Sequence, residues 1–266
     1  MASYNIDKIK AALEAKLNPT KATSNSKLTY WKPTMGEHDV RFLPYADENS
    51  QPFQKVAYYE KISDRRFVAP SSFGMDDPIA ELFAERRQDK DKEAWKLTKQ
   101  LKPRDRYYAV IIVRGEEDKG PQIWEFSEDL RVDIYKTLSH KDNADEDMFN
   151  PETGYDFTVD VSPQMENGKP KTFNGYPMKT ITVKPRKKPS KLGTKDQMEK
   201  WLQAIPNLHD YFKSQVKKPE ELLEVLENFV NKFSSAETTP SSTKVHQTSS
   251  DEATDAKLND AFGDLA

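Results

Sequence analysis

The chain has no cysteine among its 266 residues. That absence excludes a disulfide framework, thiolate chemistry and any zinc site built on cysteine. Histidine is nearly as scarce: His38, His140, His209 and His246 share no metal-ligand spacing and are read as surface or structural residues. No apolar run approaches the length of a membrane span, and no N-terminal hydrophobic segment resembles a signal peptide. The expectation is a soluble, intracellular protein without membrane contact. Hydrophobic residues make up 35% and charged residues 32%, which is polar for a globular chain and predicts that part of it is unpacked.

The formal net charge of −3 is unevenly placed. Residues 234–266 hold six acids against two lysines, whereas the other 233 residues carry 39 bases and 38 acids, with local positive clusters. Residues 234–250 are rich in Ser and Thr without apolar periodicity, the composition of a disordered linker. Residues 251–266 intersperse acids with Leu258, Phe262 and Leu265. That pattern suits a short protein-binding peptide, with Asp260, Phe262, Asp264 and Leu265 as its candidate contacts.

The most informative stretch is 96–126. Lys96, Lys99, Lys102, Arg104 and Arg106 lead into Tyr107, Tyr108 and the apolar run 110–113. Period-two reading places Arg106, Tyr108, Val110, Ile112 and Arg114 on one strand face and Tyr107, Ala109, Ile111 and Val113 on the other. Both faces are apolar in the middle, which predicts a central strand. After a polar turn, residues 122–126 return as a second strand that carries Trp124. A groove for a single nucleic-acid strand needs cations for phosphates and flat rings for unpaired bases, each ring contributing roughly 1–3 kcal/mol. Tyr107 and Trp124 are the leading ring candidates; burial in a β core is the alternative for both.

The remaining elements are read in chain order. Ile6, Ile9, Leu13 and Leu17 predict an amphipathic helix over 4–17, with Lys8 and Lys10 on an arm suited to self-interaction. Residues 27–45 read as strand, turn, strand, with Arg41 facing away from Val40 and Phe42 and so available to a groove. Residues 52–60 form another strand, whose Tyr58 and Tyr59 point to opposite faces. At most one of them is expected in a core, which leaves Tyr58 as a further stacking candidate. An insertion follows, helical from about Pro78 and carrying Trp95 at its exit. Helices are also predicted over 128–138, 196–202 and 219–233, and a hairpin over 154–183. The hairpin ends in a basic run with Lys184, Arg186, Lys187 and Lys188, read as a phosphate-binding flap or a solvated loop. Asp142, Asp145, Glu146 and Asp147 form an acidic patch that fails the EF-hand register and is read as a solvated loop. The residues alone thus predict a mainly β, α+β chain with helical insertions and a disordered C-terminal tail.

Four landmarks recur in one order: Val40-Arg41-Phe42-Leu43-Pro44 followed by Pro52-Phe53, then 107–113, then Ala204-Ile205-Pro206-Asn207, then the acidic Asp-Leu ending. With them the chain resembles the single-stranded DNA-binding, helix-destabilising proteins of T-even-like bacteriophages. The resemblance implies an OB-fold core, a five-stranded Greek-key barrel, over 27–233. It also implies a cooperativity arm over 1–26, a linker over 234–250 and a partner-binding acidic tail over 251–266. Arg41, Trp95, Tyr107 and Trp124 fall where that family places groove residues. Two departures stand out. The family's best-known members hold zinc with one His and three Cys, whereas the matching positions here are Asp77, Ala80 and an upstream Ala69, so no cofactor is expected. The arm also lacks the family's Lys/Arg-rich run.

The combined expectation is a non-enzymatic protein that coats transient single-stranded DNA, melts secondary structure and supports phage replication, recombination and repair. Phosphates would meet Arg41, Lys99, Lys102, Arg104, Arg106, Lys184, Arg186, Lys187 and Lys188; bases would stack on Trp95, Tyr107, Trp124 and Tyr58. The partners are single-stranded DNA, other copies of the chain, and replication and recombination proteins reached through the tail, in the cytoplasm of an infected bacterium. The alternatives are an RNA-binding or replisome adaptor protein and a metal-dependent nuclease using Asp142, Asp145 and Asp147.

Overall fold

The computed structural model describes residues 29–45, 52–140 and 147–237. The expected arm helix with Lys8 and Lys10, most of the acidic patch, the linker beyond 237 and the tail contacts Asp260, Phe262, Asp264 and Leu265 lie outside them.

In chain order the elements are β1 (Tyr30–Trp31), β2 (Gly36–Phe42), β3 (Gln54–Tyr59), β4 (Phe67–Val68), α1 (Pro78–Arg86), α2 (Lys92–Leu101), β5 (Arg104–Val113), β6 (Gln122–Phe126), α3 (Glu128–Leu138) and β7 (Phe157–Pro163). Four short strands follow, β8 (Met165–Glu166), β9 (Lys169–Pro170), β10 (Thr172–Phe173) and β11 (Tyr176–Pro177). The remainder is β12 (Lys179–Pro185), α4 (Lys195–Gln203), α5 (Leu208–Lys213) and α6 (Pro219–Glu237). The result is a mixed α+β architecture around one large, mainly antiparallel sheet.

That sheet runs β1-β6-β5-β2-β7-β12, with β3 and β4 attached through β5. Strand β5 organises it, as its two apolar faces predict. One long edge of β5 pairs with β6, while the other is divided: β3 takes its first half, from Tyr58↔Arg104 to Gln54↔Tyr108, and β2 its second, from Phe42↔Ile111 to Val40↔Val113. Tyr107, Ala109, Ile111 and Val113 enter one core with Phe42, Phe53, Trp124, Phe157 and the apolar side of α3. Tyr108, Val110 and Ile112 enter a second core with Tyr58, Trp201, Leu208 and Phe212. Among the described residues the pairings leave β1 and β12 as the two ends of this path and do not draw a closed five-stranded barrel.

The insertion has a third core of its own: Tyr59, Ile62, Phe67, Ala69, Ile79, Leu101 and Leu222. This core explains why Tyr58 and Tyr59 are both buried although they point to opposite faces. The sequence expectation allowed only one, because it did not count the insertion and α6 as a second packing layer. Two local expectations also change. Residues 27–45 do not close a hairpin, since β1 pairs in parallel with β6. Lys96 and Lys99 lie on α2, a helix capped by the Asp91 carboxylate accepting from Ala94 N at 2.7 Å.

Candidate nucleic-acid interface

An open cleft of about 1160 Å³ lies between the β1–β6 edge, the β3–β4 hairpin and the junction of α5 with α6. Its position follows from the pairing of β1. Trp31, opposite Trp124, drives its ring into the first core and meets the Trp124 ring edge-on at 5.2 Å. Alternation along the strand then leaves Tyr30 outside, 40% exposed on the cleft wall. Burial of its hydroxyl, then a hydrogen bond with Tyr211, push the Tyr30 pKa up, so this ring stays neutral.

Tyr58, Phe67, Tyr108 and Phe212 also line the cleft. The Tyr108 hydroxyl donates to that of Tyr58 at 2.8 Å, and Tyr108 packs on Phe212 with ring centroids 4.3 Å apart. Above Tyr58 sits the Arg66 guanidinium, 4.6 Å from the ring centroid, where it donates two 2.6 Å hydrogen bonds to the Glu125 carboxylate. Burial works against ionisation of Glu125. The Arg66 hydrogen bonds and charge, the Tyr108 hydroxyl and the Arg106 charge outweigh it and hold the carboxyl below its ordinary value. Lys32, Lys217 and Lys218 add three further cations to the lining. Lys217 reaches Glu221 at 3.4 Å and stands 5.8 Å from the Phe67 ring centre.

From Arg66 a chain of charged contacts leads out of the cleft. Glu125 also meets Arg106 at 3.8 Å, Arg106 meets Glu60 at 2.7 Å, and Glu60 meets Arg104 at 3.4 Å. Next to Glu60, Lys61 donates to the Lys99 carbonyl at 3.5 Å, and Lys99 lies 4.8 Å over the ring of Trp95, which is 52% exposed. Desolvation, then the charges of Arg104 and Lys99, push the Lys61 pKa down. A lysine crowded by other cations is a place where an anion is welcome. Rings and cations thus run in one contiguous track from Trp95 to Tyr30.

This track brings together part of the expected set. Arg104, Arg106, Lys99 and Trp95 belong to it, Lys102 is exposed beside it as the C-cap of α2, and Tyr58 lies in the cleft beneath Arg66. Other expectations are corrected. Trp124 is 1% exposed, packed among Trp31, Phe42 and Phe126, and has no face for a base. Tyr107 is buried on the face of β5 opposite Tyr108, with Arg131 over its ring at 4.9 Å and its hydroxyl bonded to Glu128.

Arg41 is fully buried. Its guanidinium donates to the Asn150 carbonyl at 2.6 Å and pairs with Asp156 at 3.6 Å, while desolvation brings its pKa down to about 10. The loop before β7 covers the strand face that was expected to look into a groove. Gly154 is required there, because a Cβ would come within 2.8 Å of Arg41 Nη2 and 2.4 Å of the Met148 carbonyl.

The basic run stands apart from the cleft. Lys184 is on β12, Arg186 is tied to Asp39 at 2.8 Å, and Lys187 and Lys188 are exposed beyond it. None of these residues lines the cleft. The reading missed Tyr30, Lys32, Lys61, Arg66, Lys217 and Lys218. The triplet Tyr30-Trp31-Lys32 and the Lys217-Lys218 pair just before Pro219 were the available signals.

The positions where the resembled family holds zinc do not fit a metal. Ala69 and Ala80 have no donor, and the Asp77 carboxylate is already committed. It accepts from Ile79 N, Ala80 N, the Tyr59 hydroxyl, Ser71 N and Ser71 Oγ at 2.8–3.3 Å.

A search of curated proteins finds no match to this chain. The model of a family described as gp32 DNA binding protein like matches residues 34–232, a span that holds the cleft lining other than Tyr30 to Pro33 and the charged contacts from Arg66 to Arg104. The chain therefore belongs to the gp32-like DNA-binding family.

Proposed function

We propose that the protein binds single-stranded DNA along the track from Trp95 to Tyr30 and coats it without cleaving it. The observation that carries this reading is the union, in one open cleft, of a projecting ring, a floor of aromatic side chains and four cations. Phosphates meet Arg104, Arg106, Arg66, Lys217 and Lys218, and bases stack on Tyr30 and Trp95. Every base has a π-face, so sequence preference is weak. Tyr58 becomes a third platform only if Arg66 leaves its ring for a phosphate. A protein that binds only the open strand shifts the duplex equilibrium towards melting. Support of phage replication, recombination and repair in the cytoplasm of an infected bacterium follows from that activity. So does an acidic tail, residues 251–266, that recruits partners.

The sheet geometry supports an OB-type barrel as the scaffold. One edge of β5 divides between β3 and β2 while the other pairs with β6, as happens where a sheet turns a corner. The insertion is proposed to need no metal.

Titration of the full chain with oligo-dT, followed by tryptophan fluorescence, tests the reading. Trp95 should report quenching, and Tyr30→Ala should weaken binding by about tenfold for the loss of one stacked ring. Log K should fall with log salt at about −0.7 per phosphate contact, and Lys217→Ala with Lys218→Ala should flatten that slope. Wild-type affinity in the Tyr30 and lysine variants would move DNA out of the cleft. Equal-length RNA as competitor addresses the adaptor alternative, and intact DNA after incubation with Mg²⁺ addresses the nuclease alternative.

A further inference from the structure

Strand β12 ends at Pro185, and the basic run that continues from it is fastened to the body of the protein along most of its length. Arg186 N donates to the Asp156 carbonyl at 2.8 Å, Ser190 N to that of Gly154 at 2.9 Å, and Leu192 N to that of Pro151 at 2.8 Å. Side chains hold it from below. Buried Arg41 donates to Ser190 Oγ at 3.4 Å, Arg114 donates to the carbonyls of Leu192 at 2.7 Å and Lys191 at 3.0 Å, and Arg186 reaches back to Asp39 at 2.8 Å. Pro185 and Pro189 fix φ at two further positions. Solvation alone asks for no such anchoring.

What the anchoring presents is charge. Lys184 points outward, since Val183 beside it enters the first core, and Lys184, Lys187 and Lys188 are exposed with no carboxylate partner among the described residues. The carboxylates that touch the run are already occupied: Asp39 by Arg186 and the Thr158 hydroxyl, Asp156 by Arg41 and Arg114, and Glu152 by Lys191 at 3.6 Å. Two guanidinium groups thus share the Asp156 carboxylate under the loop, and the Nε of each is buried without a hydrogen-bond partner among the described residues. Positive charge stands both on the run and beneath it, a surface that attracts polyanions. No aromatic residue occurs from Lys184 to Gly193, and no large apolar side chain is exposed there.

We propose that this run is a second DNA site, for the phosphate backbone of a duplex, so that the protein settles where a single strand held in the cleft joins a double-stranded stretch. This rests on the cleft being the single-strand site. Unpaired bases need rings, and the run offers none; a duplex keeps its bases stacked inside and shows phosphates. Its stiffness, a persistence length of about 50 nm, suits cations on a fastened loop, whereas a flexible strand fits itself to loose ones. β12 and β1 are opposite ends of the strand path, so the two contacts fall on different nucleotides. The cleft still takes only the open strand, and the second contact therefore favours the junction over the closed duplex.

The test uses the full chain and the variant Lys184→Ala/Lys187→Ala/Lys188→Ala, with oligo-dT alone and with the same oligo-dT joined to a hairpin duplex. All three positions are exposed, so the variant should fold, which circular dichroism checks. The wild type should bind the junction about tenfold more tightly at low salt than oligo-dT, with a slope of log K against log salt steeper by about 0.9 for each duplex phosphate contacted. The variant should lose that preference and the extra slope while keeping wild-type affinity for oligo-dT. A wild type that binds both DNAs equally, with equal slopes, overturns the duplex site and leaves the cleft reading standing. A wild type that binds the hairpin but not oligo-dT overturns the cleft reading, and the junction with it. A variant weakened equally on both DNAs gives the run to the single strand, and the proposal falls. It falls too if the variant keeps the junction preference; a peptide of residues 251–266 that binds the wild type but not that variant then assigns the run to the acidic segment.

Discussion

Adjacent rings decide much of the site, because Tyr107 and Tyr108 enter different cores on opposite faces of β5. Their alternation was legible in the sequence; which face would be roofed by α3 and which would look towards the cleft was not. Trp124 and Tyr30 make the contrast measurable. Trp124→Ala should cost about 3–5 kcal/mol of folding stability, read by denaturant unfolding, because it empties a packed core. Tyr30→Ala should leave the unfolding midpoint nearly unchanged and act on DNA binding, since its ring is partly exposed.

Glu128 offers a pH test at the same scale. Hydrogen bonding to Arg131, assisted by the Tyr107 hydroxyl and opposed by modest burial, brings its pKa from 4.5 to about 2. A depressed carboxyl contributes stability that is present above the unfolded pKa and lost as pH falls through the folded one. Unfolding midpoints of the wild type should therefore decline between pH 4.5 and about 2 more steeply than those of Glu128→Gln. Parallel curves would show that this carboxylate adds nothing in acid.

Among the elements, the insertion is held by a carboxylate hub and by packing. Asp77 is 4% exposed, caps α1 and receives the Tyr59 hydroxyl and both Ser71 donors, so one side chain ties the helix, β3 and the turn at Ser71 together. Asp77→Ala removes a helix cap, worth about 0.5–2 kcal/mol, and leaves the buried Tyr59 hydroxyl without its acceptor, at about 1–3 kcal/mol. Hydrogen exchange should accelerate over residues 67–101 before the rest of the chain. A chelator should change neither the exchange nor the melting temperature. The α1 stripe Ile79, Leu82, Phe83 was plain in the sequence. α2 was not, because its lysines read as an approach to the next strand while Ala94, Leu97 and Leu101 were too sparse to stand out.

For the molecule as a whole, the order of strands and helices was largely legible: β5–β6, β7–β12, α3 and α6 lie where alternation and helical spacing put them. What could not be read were contacts between segments distant in sequence. Arg41 looked like a free groove cation because nothing local announces that Asn150 and Asp156 will meet it. The cleft is assembled from residues 30–33, 58, 66–68, 108, 125, 212, 215–218 and 221, and no linear pattern joins them. Charge, by contrast, is a property of the entire chain. The acidic segment 251–266 should compete with DNA for the cationic track, so its removal should raise affinity, most at low salt where the charges are least screened. Unaltered affinity at low salt would dispose of that competition.

The alternation of Arg66, Glu125, Arg106, Glu60 and Arg104 has one more consequence. None of these guanidinium groups waits vacant, so a DNA backbone bound along the proposed track would trade places with the Glu125 and Glu60 carboxylates instead of filling a hole. We expect such a ratchet-free rail to let the polymer creep past a stationary protein, visible as rapid one-dimensional diffusion of single molecules on long unpaired DNA.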